Sequence, residues 1–280
     1  MKILLNKIKN NKIYCIICLV SILILIWSLS RNISVEKFTE NMRYKHDFLR
    51  LYSKPIKKED KINILINSYN RPKILKKTID NISIADLNNC SVLIYDDKSS
   101  DKEVSKILKS SKSKTNLREF NYHISSKNEG IRKALPNGFR LLKDKNESEF
   151  YCNLDSDVLV NPNFIKILYH LWQDIFTKIN RYDFILTGFN TINHPFIKKI
   201  NNYYGKKKHI GGINIFFHKS QFNNVLKQWD TKEIDWKLSS DYYSKGGIYC
   251  TYLSIIEHIG NIGLNSNNDN YDKAIDYISN

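Results

Sequence analysis

Two aspartates one residue apart close an apolar run in Phe150-Tyr-Cys-Asn-Leu-Asp155-Ser-Asp157. Carboxylates with this spacing can hold a hard divalent cation, and such a cation can grip a diphosphate. The same tripeptide can also be a plain polar turn, since a second apolar run, Val158-Leu-Val160, follows it. Two other apolar runs end on polar residues. Ile62 to Ile66 leads into Asn67-Ser-Tyr-Asn-Arg71, and Ser91 to Tyr95 leads into Asp96-Asp97. A carboxylate can accept hydrogen bonds from a ligand or cap the next turn, and the spacing leaves both open.

These groups act together only if the scaffold gathers them. Short β-rich runs at Ile62–Ile66, Ser91–Tyr95, Glu119–Ile124 and Phe150–Leu154 alternate with helical patterns. The helices run over Lys73–Ile82, opened by Pro72, and from a cap at Ser100 or Asp101 to about Ser110. Two more cover Ile131–Leu142, interrupted by Pro136 and Gly138, and about Pro162–Ile179. Such alternation predicts a mostly parallel α/β sheet flanked by helices. Right-handed crossovers then open the three strand ends on one side, the edge where ligands bind in such sheets. The second half is less regular. It contains a strand at Tyr182–Thr187, a Gly-Gly turn entering a strand at Ile210–Phe217 and a helix at Lys219–Trp229. A helical piece at Ile234–Leu238 follows, then an apolar run Ile248–Ile256 that ends on Glu257-His258. Residues 265–270 are Asn-rich and loop-like.

Of the 280 residues, 42% are hydrophobic and 26% charged, an ordinary globular balance. The formal charge of +16 is spread along the chain without a nucleic-acid-binding signature, so nucleic acid is not an expected partner. Ile13 to Ser30 is free of charge and bracketed by Lys12 and Arg31. As a helix it reaches about 27 Å, enough for a thin bilayer. No small-x-small cleavage site follows, which favours an anchor over a signal peptide. Lys2, Lys7, Lys9 and Lys12 favour a cytosolic N-terminus and a type II orientation, with the soluble part in the lumen of the ER or Golgi or an equivalent compartment. The expected layout is a tail at 1–12, an anchor at 13–30, a polar stem at 31–60 and a catalytic domain at 61–280. Outside the anchor, Cys90, Cys152 and Cys250 have no metal-type spacing and imply no disulfide framework.

The order of these pieces resembles the inverting family 2 glycosyltransferases of the GT-A fold. The likeness runs from about Lys61 to Gly263. It is carried by Ile64-Leu-Ile-Asn-Ser-Tyr-Asn-Arg-Pro, by Val92-Leu-Ile-Tyr-Asp-Asp-Lys-Ser-Ser-Asp101 and by Asn128-Glu-Gly-Ile-Arg-Lys-Ala-Leu-Pro-Asn-Gly. Asn153-Leu-Asp-Ser-Asp, Gly211-Gly-Ile-Asn-Ile-Phe-Phe, Ile234-Asp-Trp-Lys-Leu and Ser254-Ile-Ile-Glu-His-Ile-Gly complete it. The resemblance implies a nucleotide-diphospho-sugar transferase fold and roles for single residues. Asp96 and Asp97 would receive the nucleobase, Tyr69 would stack on it, and Asn67 and Ser68 would bind nearby. Arg71 and Arg132 would serve the donor side. Asp155 would sit by the ribose and the metal. Asp157 and His258 would hold Mn2+ or Mg2+.

On the acceptor side, the resemblance puts Asp235 in the place of the general base, with Gly211, Gly212 and Trp236 shaping the pocket. The family often has Glu where this chain has Ile234, so Glu233 and Asp241 remain rival bases. Inversion requires one in-line displacement, with a base on the acceptor hydroxyl and a cation on the leaving diphosphate. The expected activity is transfer from a nucleotide-sugar, a UDP-sugar first, to a glycan, protein or lipid acceptor. A non-catalytic, membrane-anchored module binding glycan or nucleotide is the alternative. A nucleotidyltransferase of the same fold would open on a Gly-rich basic loop, which Asn67 to Pro72 is not. A glycoside hydrolase would need a protonated carboxylic acid of its own.

Overall fold

In a computed structural model the first strand, β1 (Ile62–Ser68), is buried along its whole length. That is the signature of a strand covered on both faces. The structure describes residues 40–111, 119–229, 234–260 and 272–279. It divides into Met1–Arg50, whose described part is helical, and Leu51–Asn280, which carries everything below. The tail, the anchor and part of the stem expected at 1–60 lie outside the described residues. Among the described residues no helix is long and apolar enough to cross a membrane.

β1 pairs in parallel with β2 (Cys90–Asp96) on one side and β4 (Phe150–Asp155) on the other, and β2 pairs in parallel with β3 (Glu119–Ile124). The sheet continues from β4 through β9 (Asn214–His218), β6 (Phe184–Thr187) and β10 (Gly247–Thr251) to the hairpin of β8 (Tyr204–Lys207) and β7 (Phe196–Lys199). β9 and β8 run against the other strands, so the nine-stranded sheet is mostly parallel. A separate antiparallel pair joins β5 (Val158–Val160) to β11 (Ile256–His258).

Alternation along β4 divides the core. Phe150 turns to α4 (Phe164–Ile179), with ring centroids 5.4 Å from Tyr169 and 5.0 Å from Trp172. Tyr151 turns to the other face, against Phe139 of α3 (Ile131–Lys145) at 6.0 Å and Phe222 of α5 (Phe222–Trp229) at 4.8 Å. The remaining helices are α1 (Pro72–Ile82), α2 (Lys102–Ser111) and α6 (Ile234–Tyr243).

The structure corrects several boundaries. α3 does not break at Pro136 or Gly138, because Ala134, Leu135, Phe139 and Leu142 all bury on the sheet. A Cβ on Gly138 would lie 2.7 Å from Leu65 Cδ1 and 3.2 Å from Tyr95 Cβ, so this glycine is what lets the helix approach β1 and β2. The run Ile248–Ile256 is two strands, not one. It turns after Thr251, and Ile256 leaves the main sheet to pair with Val160.

Phe139 is fully buried and packs its ring against Tyr151, Phe217, Phe222 and Trp229. Phe139→Ala should therefore cost about 3–5 kcal/mol. A lower urea midpoint at unchanged slope measures this, and an unchanged midpoint refutes it.

Candidate active site

Register sets the first half of the site. Asn67 lies opposite Asp155 of β4, and Ser68 lies opposite Asp96 of β2. The three polar strand ends thus open side by side. The turn after β1 is left-handed at both Asn70 (φ 55°) and Arg71 (φ 54°), a region that side chains with a Cβ seldom occupy. Hydrogen bonds hold it there. Asn70 donates its N–H to Ser99 Oγ (2.6 Å), and its Oδ1 accepts from the N–H groups of Ser100 (3.0 Å) and Asp101 (3.2 Å). The turn aims Arg71 at Asp157, with Nη1 2.7 Å from Oδ2.

The β5–β11 pair brings His258 to the same carboxylate. His258 stands opposite Val158, and the Ile259 N–H donates to the Asp157 carbonyl at 2.8 Å. His258 Nε2 is 3.3 Å from Asp157 Oδ2, and its Nδ1 is 3.0 Å from the Asp272 carbonyl. A carbonyl only accepts, so Nδ1 donates to Asp272, and Nε2 is the nitrogen turned toward Asp157, to which it donates only when the ring carries a second proton. Burial pushes the Asp157 carboxyl up, but the His258 hydrogen bond and the Arg71 charge outweigh it and hold it below the usual range. Burial, then the charge of Asp157, pushes neighbouring Asp155 well above that range.

Several buried polar atoms here have no partner among the described residues: Asp157 Oδ1, both side-chain ends of Asn67, and Ser68 Oγ. Such orphans are uncommon in folded proteins, and these gather at the strand ends where a polar ligand would satisfy them. Asp157 Oδ1 and His258 Nε2 suit a metal such as Mn2+, with Asp155 beside them as a third donor. Among the described residues no three acid, thiol or imidazole groups are already gathered around one point. Gly260 closes the pocket. A Cβ on it would fall 1.9 Å from Asp157 Oδ2 and 2.8 Å from His258 Nε2.

Of the other residues expected on the donor side, Asp96 and Asp97 have partners within the protein. Asp97 accepts from the N–H groups of Glu129 (2.9 Å) and Gly130 (2.7 Å), which ties the Asn128-Glu-Gly turn to β2. Asp96 accepts from the Oγ and N–H of Ser99 at 2.5 and 3.0 Å. Asp101 caps α2 through the Glu103 N–H. Tyr69 is half-buried in the β1 turn, and Arg132 is exposed on the first turn of α3.

The residues expected on the acceptor side gather around the start of β9. The Gly212 carbonyl accepts from Asn153 Nδ2 (2.7 Å), and the Ile213 carbonyl accepts from the Asp155 N–H (3.1 Å). The Gly212 N–H donates to Asp235, in the first turn of α6. A Cβ on Gly212 would sit 2.8 Å from Asp235 Oδ1. Asp235 is exposed as a residue, yet desolvation of its carboxyl raises the pKa, against the opposing pull of the Gly212 N–H and of His194. Asp235 also bears on Asp155, whose protonated form its charge favours. Of the rival bases, Asp241 is held by Lys245 (2.8 Å) and Asn224 (2.8 Å), and Glu233 lies outside the described residues. Trp236 is 63% exposed, with its ring 5.0 Å from that of His209.

Sequence reasoning missed three participants. Asp272 gives its carbonyl to His258 while its carboxylate accepts from Thr191 Oγ1 and Asn193 Nδ2 and faces His194 Nε2 at 3.5 Å. His194 in turn meets His209, Nδ1 to Nδ1, at 2.6 Å. Nothing in an Asn- and Asp-rich segment marks Asp272. The Gly260 requirement, in contrast, is visible in the His-Ile-Gly spacing.

A mostly parallel α/β sheet that gathers an Asp-x-Asp pair and an acidic helix start along one edge is the GT-A class of fold. The chain belongs to glycosyl transferase family 2, whose model matches residues 63–228, more than half its length. No curated protein matches it in sequence. Among solved structures, GalNAc-T7 with UDP, GalNAc and Mn2+ is 11% identical with a TM-score of 0.52, over 68% of this chain and 42% of that one. The mannosyltransferase PcManGT from Pyrobaculum calidifontis, in complex with GDP-Man and Mn2+, is 11% identical at a TM-score of 0.49, over 78% and 66%. S. aureus TarS 1-349 in complex with UDP-GlcNAc is 17% identical at 0.47, over 69% and 56%. The chain thus spans 42–66% of the length of these structures, and at such identities the likeness bears on the fold alone.

Gly260→Ala should push Asp157 off His258 and weaken Mn2+ binding about 10- to 100-fold, the usual cost of disturbing a metal's supporting shell. Calorimetric titration of Mn2+ reads this, and an unchanged affinity would show that the close approach is dispensable.

Proposed function

We propose that the chain transfers a sugar from a nucleotide-diphosphate donor, a UDP-sugar first, to an acceptor hydroxyl with inversion. What carries the reading is the facing of two acidic centres at one sheet edge. Asp235 stands close enough to influence Asp155, while unpartnered atoms of Asp157, Asn67 and Ser68 lie at the strand ends between the β1 turn and β9. GalNAc-T7, of the same fold and bound to UDP, GalNAc and Mn2+, supports trying uridine nucleotides before guanosine ones.

In this reading Asn67, Ser68, Tyr69, Arg132 and the Asp96-Asp97 loop frame the nucleoside, and Arg71 reaches the diphosphate from its place beside Asp157. Asp157 and His258, with Asp155, hold a divalent cation. When bound, that ion neutralises charge growing on the leaving diphosphate. Gly212 fixes the Asp235 carboxylate through its N–H, so the base needs no reorientation to accept the acceptor proton. The residue as a whole is exposed, but desolvation of its carboxyl raises the pKa, which makes Asp235 a stronger base than a free carboxylate. Gly211 and Trp236 border the acceptor. The apolar segment 13–30 anchors the chain, with the domain on the luminal side.

Isothermal titration of the full chain with UDP and GDP, with and without Mn2+, should give Mn2+-dependent UDP binding that Asp157→Ala abolishes. GDP binding in its place redirects the donor, and no binding by folded protein favours the non-catalytic module. Asp235→Asn should keep nucleotide binding but slow donor turnover about 10²- to 10⁴-fold. Because the base must be ionised and its pKa is raised, kcat/KM should fall with acid along a limb above the ordinary carboxylate range. A limb at the ordinary carboxylate value argues against Asp235. In sealed vesicles the domain should resist added protease, and its digestion without detergent would reverse the topology.

A further inference from the structure

The acceptor side holds a group of side chains that donor binding and base catalysis do not use. Trp236 follows Asp235 on α6 and leaves 63% of its surface open. An open indole beside a general base is costly in water and useful to a ligand with weakly polar C–H faces, since the ring face carries the negative part of its quadrupole. His209, at the base of the β7–β8 hairpin, leans on that indole at 5.0 Å with the rings 44° apart. Its Nδ1 meets His194 Nδ1 at 2.6 Å, a distance that requires one nitrogen to donate and the other to accept. His194 is held at its far side by Asp272. His209 Nε2 therefore remains as a hydrogen-bonding atom with no partner among the described residues, on a ring whose position is fixed.

We propose that Trp236 and His209 form a saccharide subsite, in which the acceptor is a sugar ring laid on the indole with a hydroxyl bonded to His209 Nε2. This rests on the transfer reading above, and it narrows the acceptor from any hydroxyl compound to a carbohydrate. The hydrogen-bond chain behind the ring is the chemical reason. Asp272 only accepts, so His194 turns its Nε2–H to it, His194 Nδ1 accepts from the His209 Nδ1–H, and His209 Nε2 is left as an acceptor. A sugar hydroxyl can donate to it, and a carboxylate cannot. The alternation of apolar C–H and hydroxyl around a pyranose also matches an indole next to an imidazole, where an extended peptide or an isoprenoid chain matches only part of the pair. The indole and Asp235 sit on consecutive residues of α6, so a ring held on the indole lies in the neighbourhood of the base. His194 and Asp272 are positioning residues that hold His209.

The test is read without donor, so that it stands apart from the transfer reading. The full chain, in a zwitterionic detergent that carries no sugar headgroup, is titrated with methyl pyranosides of glucose, galactose, mannose and N-acetylglucosamine and with their disaccharides. Indole fluorescence and saturation-transfer NMR are followed. Trp172 and Trp229 are buried, and a Trp27→Phe background leaves Trp236 as the reporting indole. At least one glycoside should change the emission and receive saturation at its C–H protons. Trp236→Ala should weaken that binding about tenfold, and Trp236→Tyr should restore most of it. His209→Ala should also weaken it. His194→Gln, which keeps a hydrogen-bonding group toward His209, should retain more affinity than His194→Ala. UDP binding with Mn2+ is measured on each variant. No response to any glycoside from protein that still binds nucleotide overturns the subsite and leaves the transfer reading standing. So does binding that Trp236→Ala does not weaken, or an emission change given by a serine-containing peptide or a polyprenyl phosphate and by no glycoside. Loss of nucleotide binding in the parent chain counts against the transfer reading instead.

Discussion

Asn67 can meet Asp155, and Ser68 can meet Asp96, only because β1 is paired in parallel with β2 and β4 in a single register. Side chains alternate along a strand, so a slip of one residue would send Asn67 to the opposite face and break the donor side. That register is strongly specified. Both faces of β1 are buried, and Phe150 and Tyr151 of β4 are each locked among aromatic rings on their own side. Core packing and site geometry are therefore one constraint, and the apolar residues beneath the strand ends belong to the function as much as the carboxylates above them.

Backbone approaching closely to side chains recurs at the working positions. Gly138 admits α3 to the sheet, Gly212 lies against Asp235, and Gly260 lies against Asp157 and His258. In each case a methyl group would enter space already taken. The left-handed turn at Asn70 and Arg71 adds local strain of the kind that persists only where neighbours over-determine it. Here Ser99, Ser100 and Asp101 supply that support, so the loops after β1 and β2 behave as one unit.

The first half of the chain was legible in the sequence because each strand there is an apolar run that stops at a polar turn, and each helix carries a clear apolar face. The same logic left Ile248–Ile256 as a single apolar run, since apolar continuity does not show where a chain leaves one sheet for another. The β7–β8 hairpin was invisible, because Ile197-Lys-Lys and Gly205-Lys-Lys at a sheet edge look like loop. Among candidate site residues, Asp157, His258 and Asp235 were singled out through ordered motifs. Asp272, His194 and His209 were not, because their roles come from packing between segments far apart in sequence. Asp96 and Asp97 show the limit of motif reading from the other direction, since the type and place were clear while their partners proved to be Ser99, Glu129 and Gly130.

His258 stands 101 residues after Asp157 in the chain. At a synthesis rate of about 5–20 residues per second, Asp157 leaves the ribosome roughly 5–20 s before its imidazole partner exists. β9, which covers the open side of β4, also arrives late. During that interval β4 is a bare sheet edge, the kind of surface on which growing chains pair wrongly with one another. Asp155 and Asp157 end that edge with negative charge, and charge beside an apolar strand is a known guard against such pairing. Carboxylates at this strand end would thus act on the growing chain before there is any substrate for them to meet.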